Sequence, residues 1–169
     1  MNALNFIDNM DGFAAVNSSF ICIAITILAF IFNQNYLADV SFILLFSVLG
    51  FLIFNFPPAK LYLGDSGSLF IGFLLGFISI LFTWNNSGNQ ILSYILSPII
   101  LFFTIPLLDF IVIMHFRITK KISPTTGGTD HISHRLLAKG FSEKKVLLLF
   151  FIYSVINFIL ITDIILSIV

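Results

Sequence analysis

The chain has 169 residues, 59% of them hydrophobic and 9% charged, and its mean hydropathy of +1.09 lies far above that of soluble domains. Eight basic and eight acidic residues cancel, which removes any global field for recruiting nucleic acid. A soluble enzyme is excluded, and so is a membrane barrel: apolar runs of about 20 residues suit spanning helices, whereas barrel strands would alternate over about 10 residues.

The first segment, MNALNFIDNMDG, is polar and precedes any span. Asn2, Asn5, Asp8 and Asp11 recur every third residue, so a helix would line them along one face as a stripe of amides and carboxylates. Such a stripe could hold Mg²⁺ and a sugar nucleotide; it equally suits a solvated helix start with Asp11-Gly12 as a turn. Spans are expected over 18–34 and 39–56, joined by the short NQNYL at 33–37. The lone Cys22 lies in the first of these and cannot form an intramolecular disulfide.

PPAKLYLGDSGS (57–68) leads into a third span, 67–84. Asp65 is placed to cap that helix, and Ser66 and Ser68 fall in its first turn, where free N–H groups favour anions. Gly64-Asp65-Ser66-Gly67 also resembles the nucleophile motif of intramembrane serine proteases, which would require a base such as His115 or His131 beside Ser66. A fourth span, 91–116, carries Asp109, a carboxylate that is costly in lipid and would either support a site or pair with a neighbour such as Arg117. The loop 117–145 contains Asp130-His131-Ile132-Ser133-His134-Arg135, and a fifth span is expected over 146–166. His131, His134 and Arg135 can together donate several hydrogen bonds to pyrophosphate oxygens. Zinc is the rival ligand, although no cysteine lies nearby.

All eight Lys and Arg residues (Lys60, Arg117, Lys120, Lys121, Arg135, Lys139, Lys144, Lys145) fall in two loops on one side of this five-span arrangement. Excess positive charge marks the cytoplasmic side. The fold class is therefore an all-α polytopic membrane protein with about five spans, whose polar clusters 1–17, 57–68 and 117–145 meet at the cytoplasmic face. Hard oxygen ligands converging with cationic side chains suggest a divalent cation and phosphate chemistry.

In order, N-A-L-N-F-I-D-N-M-D-G-F (2–13), L-Y-L-G-D-S-G-S (61–68) and D-H-I-S-H-R-L-L-A-K-G-F-S (130–142) resemble the polyprenyl-phosphate N-acetylhexosamine-1-phosphate transferases, glycosyltransferase family 4. The form D-H-x-x-H-R-L resembles their GlcNAc-1-phosphate branch. The resemblance implies transfer of a sugar 1-phosphate from a UDP-N-acetylhexosamine to undecaprenyl phosphate, with release of UMP and with Mg²⁺, or alternatively Mn²⁺, as cofactor. It implies a bacterial plasma-membrane enzyme that initiates a cell-envelope glycan. It assigns catalytic roles to Asp8, Asp65 and His134, metal binding to Asp65 and Asn5, and substrate binding to Asn2, Asn5, Asp11, His131, His134 and Arg135. The expected partners are the two substrates and the lipid bilayer, with a homodimer left open and no nucleic acid.

This chain departs from the family pattern at Asn9, where glycine usually stands between the two aspartates, and at Ser133, where a third histidine is frequent. The family's aspartate pair D-D-x-x-D is missing from these 169 residues. The expectation is therefore a C-terminal half, inactive alone, whose Met1 is an internal position. A transporter half or a membrane assembly partner is the non-enzymatic alternative.

Overall fold

The computed structural model describes residues 1–85, 103–121, 123, 128 and 131–168, and among these every regular element is helical. The helices are α1 (Asn2–Ile7), α2 (Phe13–Ile31), α3 (Asn35–Asn55), α4 (Gly64–Asn85), α5 (Thr104–Thr119), α6 (Ile132–Ala138) and α7 (Glu143–Ile168). Three segments, Phe13–Ile31, Asn35–Asn55 and Gly64–Trp84, are long and apolar enough to cross a membrane. The protein is an all-α polytopic membrane protein. Helix suits that solvent because it satisfies every backbone N–H and C=O within one segment.

Helix α2 starts at Phe13, five residues before the expected 18. Ala14, Ala15, Asn17, Ser18 and Ser19 look like loop residues, yet all are buried. Asn17 Nδ2 donates to the Phe13 carbonyl at 3.2 Å and Ser19 Oγ to that of Ala15 at 2.9 Å, so these polar side chains are satisfied on the helix itself. Helices α3 and α4 begin four and three residues before the expected 39 and 67. Of the expected fourth span, residues 91–102 lie outside the described residues; α5 continues three residues past 116 to Thr119.

The polar stripe is shorter than its spacing suggests. Helix α1 ends at Ile7, and Asp8 is its cap at φ −78°, ψ 45°. Asn9 Nδ2 donates to the Phe6 carbonyl at 2.7 Å, taking an acceptor that a continuing helix would use. Gly12 then adopts φ 74°, a left-handed conformation that turns the chain into α2. Asn2 and Asn5 share a helical face, Asp8 sits at its edge, and Asp11 lies beyond it in the turn.

Helix α2 is the most enclosed of the three candidate spans and packs against α3, α4 and α7. Phe13 meets Phe150 at a centroid distance of 4.6 Å, Phe20 lies edge-on to Phe151 and Phe158, and Phe32 lies edge-on to Phe82. The outward faces of α3 and α4 display Phe42, Phe46, Ile53, Phe70, Phe73 and Phe77. Apolar surface on that scale suits lipid.

At one end of the bundle the polar segments are laced together. The Gly12 N–H donates to Asn55 Oδ1 at 3.0 Å, and Asn55 Nδ2 donates to the Leu61 carbonyl at 2.8 Å. The Ala59 N–H donates to Asp11 Oδ2 at 2.8 Å. Leu147, near the start of α7, stands 3.3 Å from the position a Cβ on Gly12 would take, which brings α7 to the same end.

Candidate active site at the polar end of the bundle

Helix α1 lies between α4 and α5 and presents a different pair of side chains to each. Asn5 and Asp8, three apart, meet the start of α4; Phe6 and Asn9, one position further round, meet α5 and α6. The approach to α4 depends on a missing side chain. A Cβ on Gly72 would lie 3.0 Å from Met1 Cα and 3.1 Å from the Met1 carbonyl oxygen, so glycine there lets the start of α1 rest on α4.

On the α4 side, Asn5 Nδ2 donates to Asp65 Oδ1 and to Ser68 Oγ, each at 2.9 Å. Ser68 Oγ in turn donates to the Gly64 carbonyl at 2.9 Å. Asp65 lies in the first turn of α4, one position inside the helix, where its charge is stabilised by the free N–H groups. Because a carboxylate oxygen can only accept, the hydrogen bond orients Asn5 with its nitrogen toward Asp65. Asn5 thereby acts as a brace for Asp65 in this arrangement.

Asp8 sits close enough to Asp65 for the two charges to repel. Its carboxyl is raised from 3.8 to about 6, first by partial burial and then by the Asp65 charge, while a hydrogen bond with the Gly64 backbone pulls the other way. Two oxygen donors that repel each other in this way form a place where a cation would be welcome.

On the α5 side, Asp109 is buried and both of its oxygens are occupied. Oδ2 lies 2.8 Å from His131 Nδ1, and Oδ1 accepts the Ile132 N–H at 2.8 Å. Of the two options for Asp109, support of the polar cluster or pairing with Arg117, the first describes its hydrogen bonds. Arg117 instead has its guanidinium carbon 6.0 Å above the Phe6 ring. Phe6 also packs edge-on against Phe110 and lies 6.2 Å from the His131 ring, and the His134 ring is 5.9 Å from that of His131. The two positions at which the chain departs from the family pattern meet, for Ser133 Oγ donates to Asn9 Oδ1 across 124 residues.

Of the site residues expected from the sequence, Asn5, Asp8 and Asp65 are therefore grouped on one flank of α1, and His131 and His134 on the other. Asn2 is exposed at the start of α1. Asp11 is engaged with the Ala59 N–H, and Arg135 is exposed with its guanidinium carbon 5.1 Å above the Phe116 ring. Ser66 is exposed and, among the described residues, hydrogen-bonds no histidine. Asp109 takes the first of its two expected roles, while Asn9 and Ser133 join the site without having been expected there. An intramembrane carboxylate is the only sequence signal for Asp109, and the two departures from pattern are the only signal for the others. Among the described residues no three His, Cys, Asp or Glu side chains converge as a metal cage of the kind zinc requires.

Fold and site together define a helical membrane protein whose polar end sets paired carboxylates and paired histidines around one short helix. The sequence pattern of glycosyl transferase family 4 matches residues 1–83 of this chain. It is 34% identical over 155 residues to a probable undecaprenyl-phosphate N-acetylglucosaminyl 1-phosphate transferase of Bacillus subtilis, covering 92% of this chain and 42% of that protein. It is 33% identical to a decaprenyl-phosphate N-acetylglucosaminephosphotransferase of Mycobacterium leprae, covering 90% and 42%. A phospho-N-acetylmuramoyl-pentapeptide-transferase of Moorella thermoacetica is 29% identical, covering 92% and 46%. The chain thus spans less than half the length of these curated relatives.

Proposed function

We propose that this chain forms part of a bacterial membrane transferase that moves an N-acetylhexosamine 1-phosphate from a UDP-sugar to undecaprenyl phosphate and releases UMP. The observation that carries this reading is the Asp8–Asp65 pair, two mutually repelling carboxylates braced by Asn5 and flanked, across α1, by His131 and His134. Phosphoryl transfer depends on positioning and on neutralising phosphate charge more than on covalent chemistry. The family names of the relatives supply the substrate class, and the GlcNAc-1-phosphate form of the His131–Arg135 segment favours UDP-GlcNAc. The excess of Lys and Arg in the loops at this end favours a cytoplasmic site, where a soluble nucleotide sugar is available.

The donor set fits Mg²⁺. That ion commonly takes one or two carboxylates and fills its remaining positions with water and substrate phosphate oxygens, so it needs no cage of protein ligands. Asp65 and Asp8 would hold it, and Mn²⁺ would fit the same oxygens. When bound, the ion supplies positive charge that neutralises and polarises phosphoryl oxygens. Asn5 fixes the rotamer of Asp65 through one hydrogen bond and is itself fixed by Ser68. His131 and His134 offer ring N–H donors to the diphosphate, and Arg135, held against Phe116, adds a guanidinium. The apolar faces of the bundle suit the polyprenyl chain.

Membranes from cells expressing the chain together with its upstream coding sequence should release UMP from UDP-GlcNAc only when undecaprenyl phosphate and a divalent cation are present. Asp65→Asn should lower that turnover by roughly 10²- to 10³-fold, the usual cost of removing one electrostatic element of an active site, and His134→Ala should lower it as well. Unchanged turnover in both variants would refute the proposed site.

A further inference from the structure

Asp109 is a carboxylate with 1% exposure in the middle of α5. A buried carboxylate is costly unless its oxygens are hydrogen-bonded, and here both are, to partners adjacent in sequence and 22 to 23 residues away. Ile132 opens α6, and its N–H is one of the donors that the first turn of a helix leaves without an internal acceptor. His131, the residue before it, is extended at φ −62°, ψ 154° and makes no side-chain cap. Asp109 supplies that missing acceptor from a different helix and bonds the His131 ring with its other oxygen. One side chain thus fixes where α6 begins and how the imidazole is turned.

We propose that Asp109 is a positioning residue that sets the tautomer of His131, holding Nδ1–H on its carboxylate and leaving Nε2 as the atom the ring offers to a ligand. The two nitrogens of a histidine differ in role, and the partner of one decides the protonation of the other. With a carboxylate on Nδ1, the ring can carry a second proton on Nε2 without losing its anchor, and the positive charge is then matched by Asp109. Phe6 and His134 flank the same ring, so its orientation is restricted from further directions. That the ligand is a phosphate oxygen rests on the function proposed above; the tautomer itself does not.

The amide of Asp109→Asn gives a sharp test. Its single oxygen must stay with the Ile132 N–H, because that group can only donate. Its nitrogen then faces His131 Nδ1 as a donor, so Nδ1 must become the acceptor and the proton must move to Nε2. The substitution inverts the tautomer while keeping both hydrogen bonds.

The chain has three histidines, so ¹⁵N-histidine labelling of the full chain in lipid nanodiscs gives a spectrum of three rings, and His131→Gln assigns the one of interest. At a pH where imidazole is neutral, wild-type His131 should show a protonated Nδ1 and a lone pair on Nε2, and Asp109→Asn should exchange the two. A wild-type ring with a bare Nδ1 would overturn the proposal even if the variant fails to fold. Adding UDP and measuring turnover together separate the two readings. If the tautomer is as expected and Nε2 responds to UDP, both readings stand; if the tautomer is as expected but membranes expressing the chain with its upstream coding sequence release no UMP, the donor-site function fails and the role of Asp109 stands.

Discussion

The molecule contains two settings for a carboxylate, and they are opposite in character. At the rim, Asp8 and Asp65 lie near each other, partly open to solvent, and the Asp65 charge acts on Asp8 as a repulsion. Beneath it, Asp109 is buried with each oxygen matched to one donor. The first arrangement has an unmet need for positive charge and suits ligand binding; the second is complete within the protein and suits positioning. Burial alone therefore does not identify a functional acid. What distinguishes the two regions is whether the protein itself satisfies the charge.

That contrast predicts opposite responses to removal of the charge. Asp109→Ala leaves the Ile132 N–H and His131 Nδ1 without their partner, so it should cost about 3 kcal/mol of stability. Asp8→Asn relieves repulsion and should leave the thermal midpoint in detergent unchanged or raised. Equal losses for the two variants would erase the distinction drawn between rim and interior.

A smaller effect should come from the packing that brings Asp8 to Asp65. Gly72→Ala would drive a methyl group into the backbone of Met1 and should cost about 2 kcal/mol through overpacking, with a fall in any cation affinity of the rim. Gly76, one turn along the same helix, has nothing within 4 Å of the position its Cβ would take, so Gly76→Ala should be neutral or stabilising. Thermal melts of the pair isolate close approach from helix propensity. Smaller again is the link between Asn9 and Ser133, the tie between the α1 turn and α6. A double-mutant cycle with Asn9→Ala and Ser133→Ala should return a coupling of about 1 kcal/mol.

The smallest effect concerns pH, because Asp8 is only partly buried and water screens its interactions. Its carboxyl holds a proton up to about 6 in the fold, against an ordinary value of 3.8. Between those values the folded chain binds more protons than the unfolded chain, so this group's contribution to stability falls as pH rises from about 4 to about 6 and is level above that. The difference in thermal midpoint between wild type and Asp8→Asn, measured without divalent cation, should follow that window. Cation binding by the rim should weaken in the opposite direction, as pH falls below about 6 and Asp8 takes up its proton.

Much of this architecture is legible in the residues alone. The apolar runs locate three spans to within a few residues, Asp65 stands out as a polar group at the head of an apolar segment, and His131 and His134 stand out as a histidine pair within the basic loop 117–145. The start of α2 is hidden because Asn17, Ser18 and Ser19 look like loop residues, whereas two of them are satisfied by their own helix and all are buried. Spacing overextends the stripe from Asn2 to Asp11 because it carries no information about competition for the Phe6 carbonyl. Asp109 can be recognised as unusual but not as a partner of His131.

The sequence by itself determined the solvent, the helical class and the chemical character of the polar end, since these follow from local composition and from the demand that a lipid environment makes on backbone hydrogen bonds. Tertiary structure decided which polar groups meet. Asn5 reaches Asp65 across 60 residues, His131 reaches Asp109 across 22 and Ser133 reaches Asn9 across 124. Those pairings depend on the close rest of α1 on α4 and on the position of α6 against α5, and helical periodicity, which relates residues only within a turn or two, does not encode them.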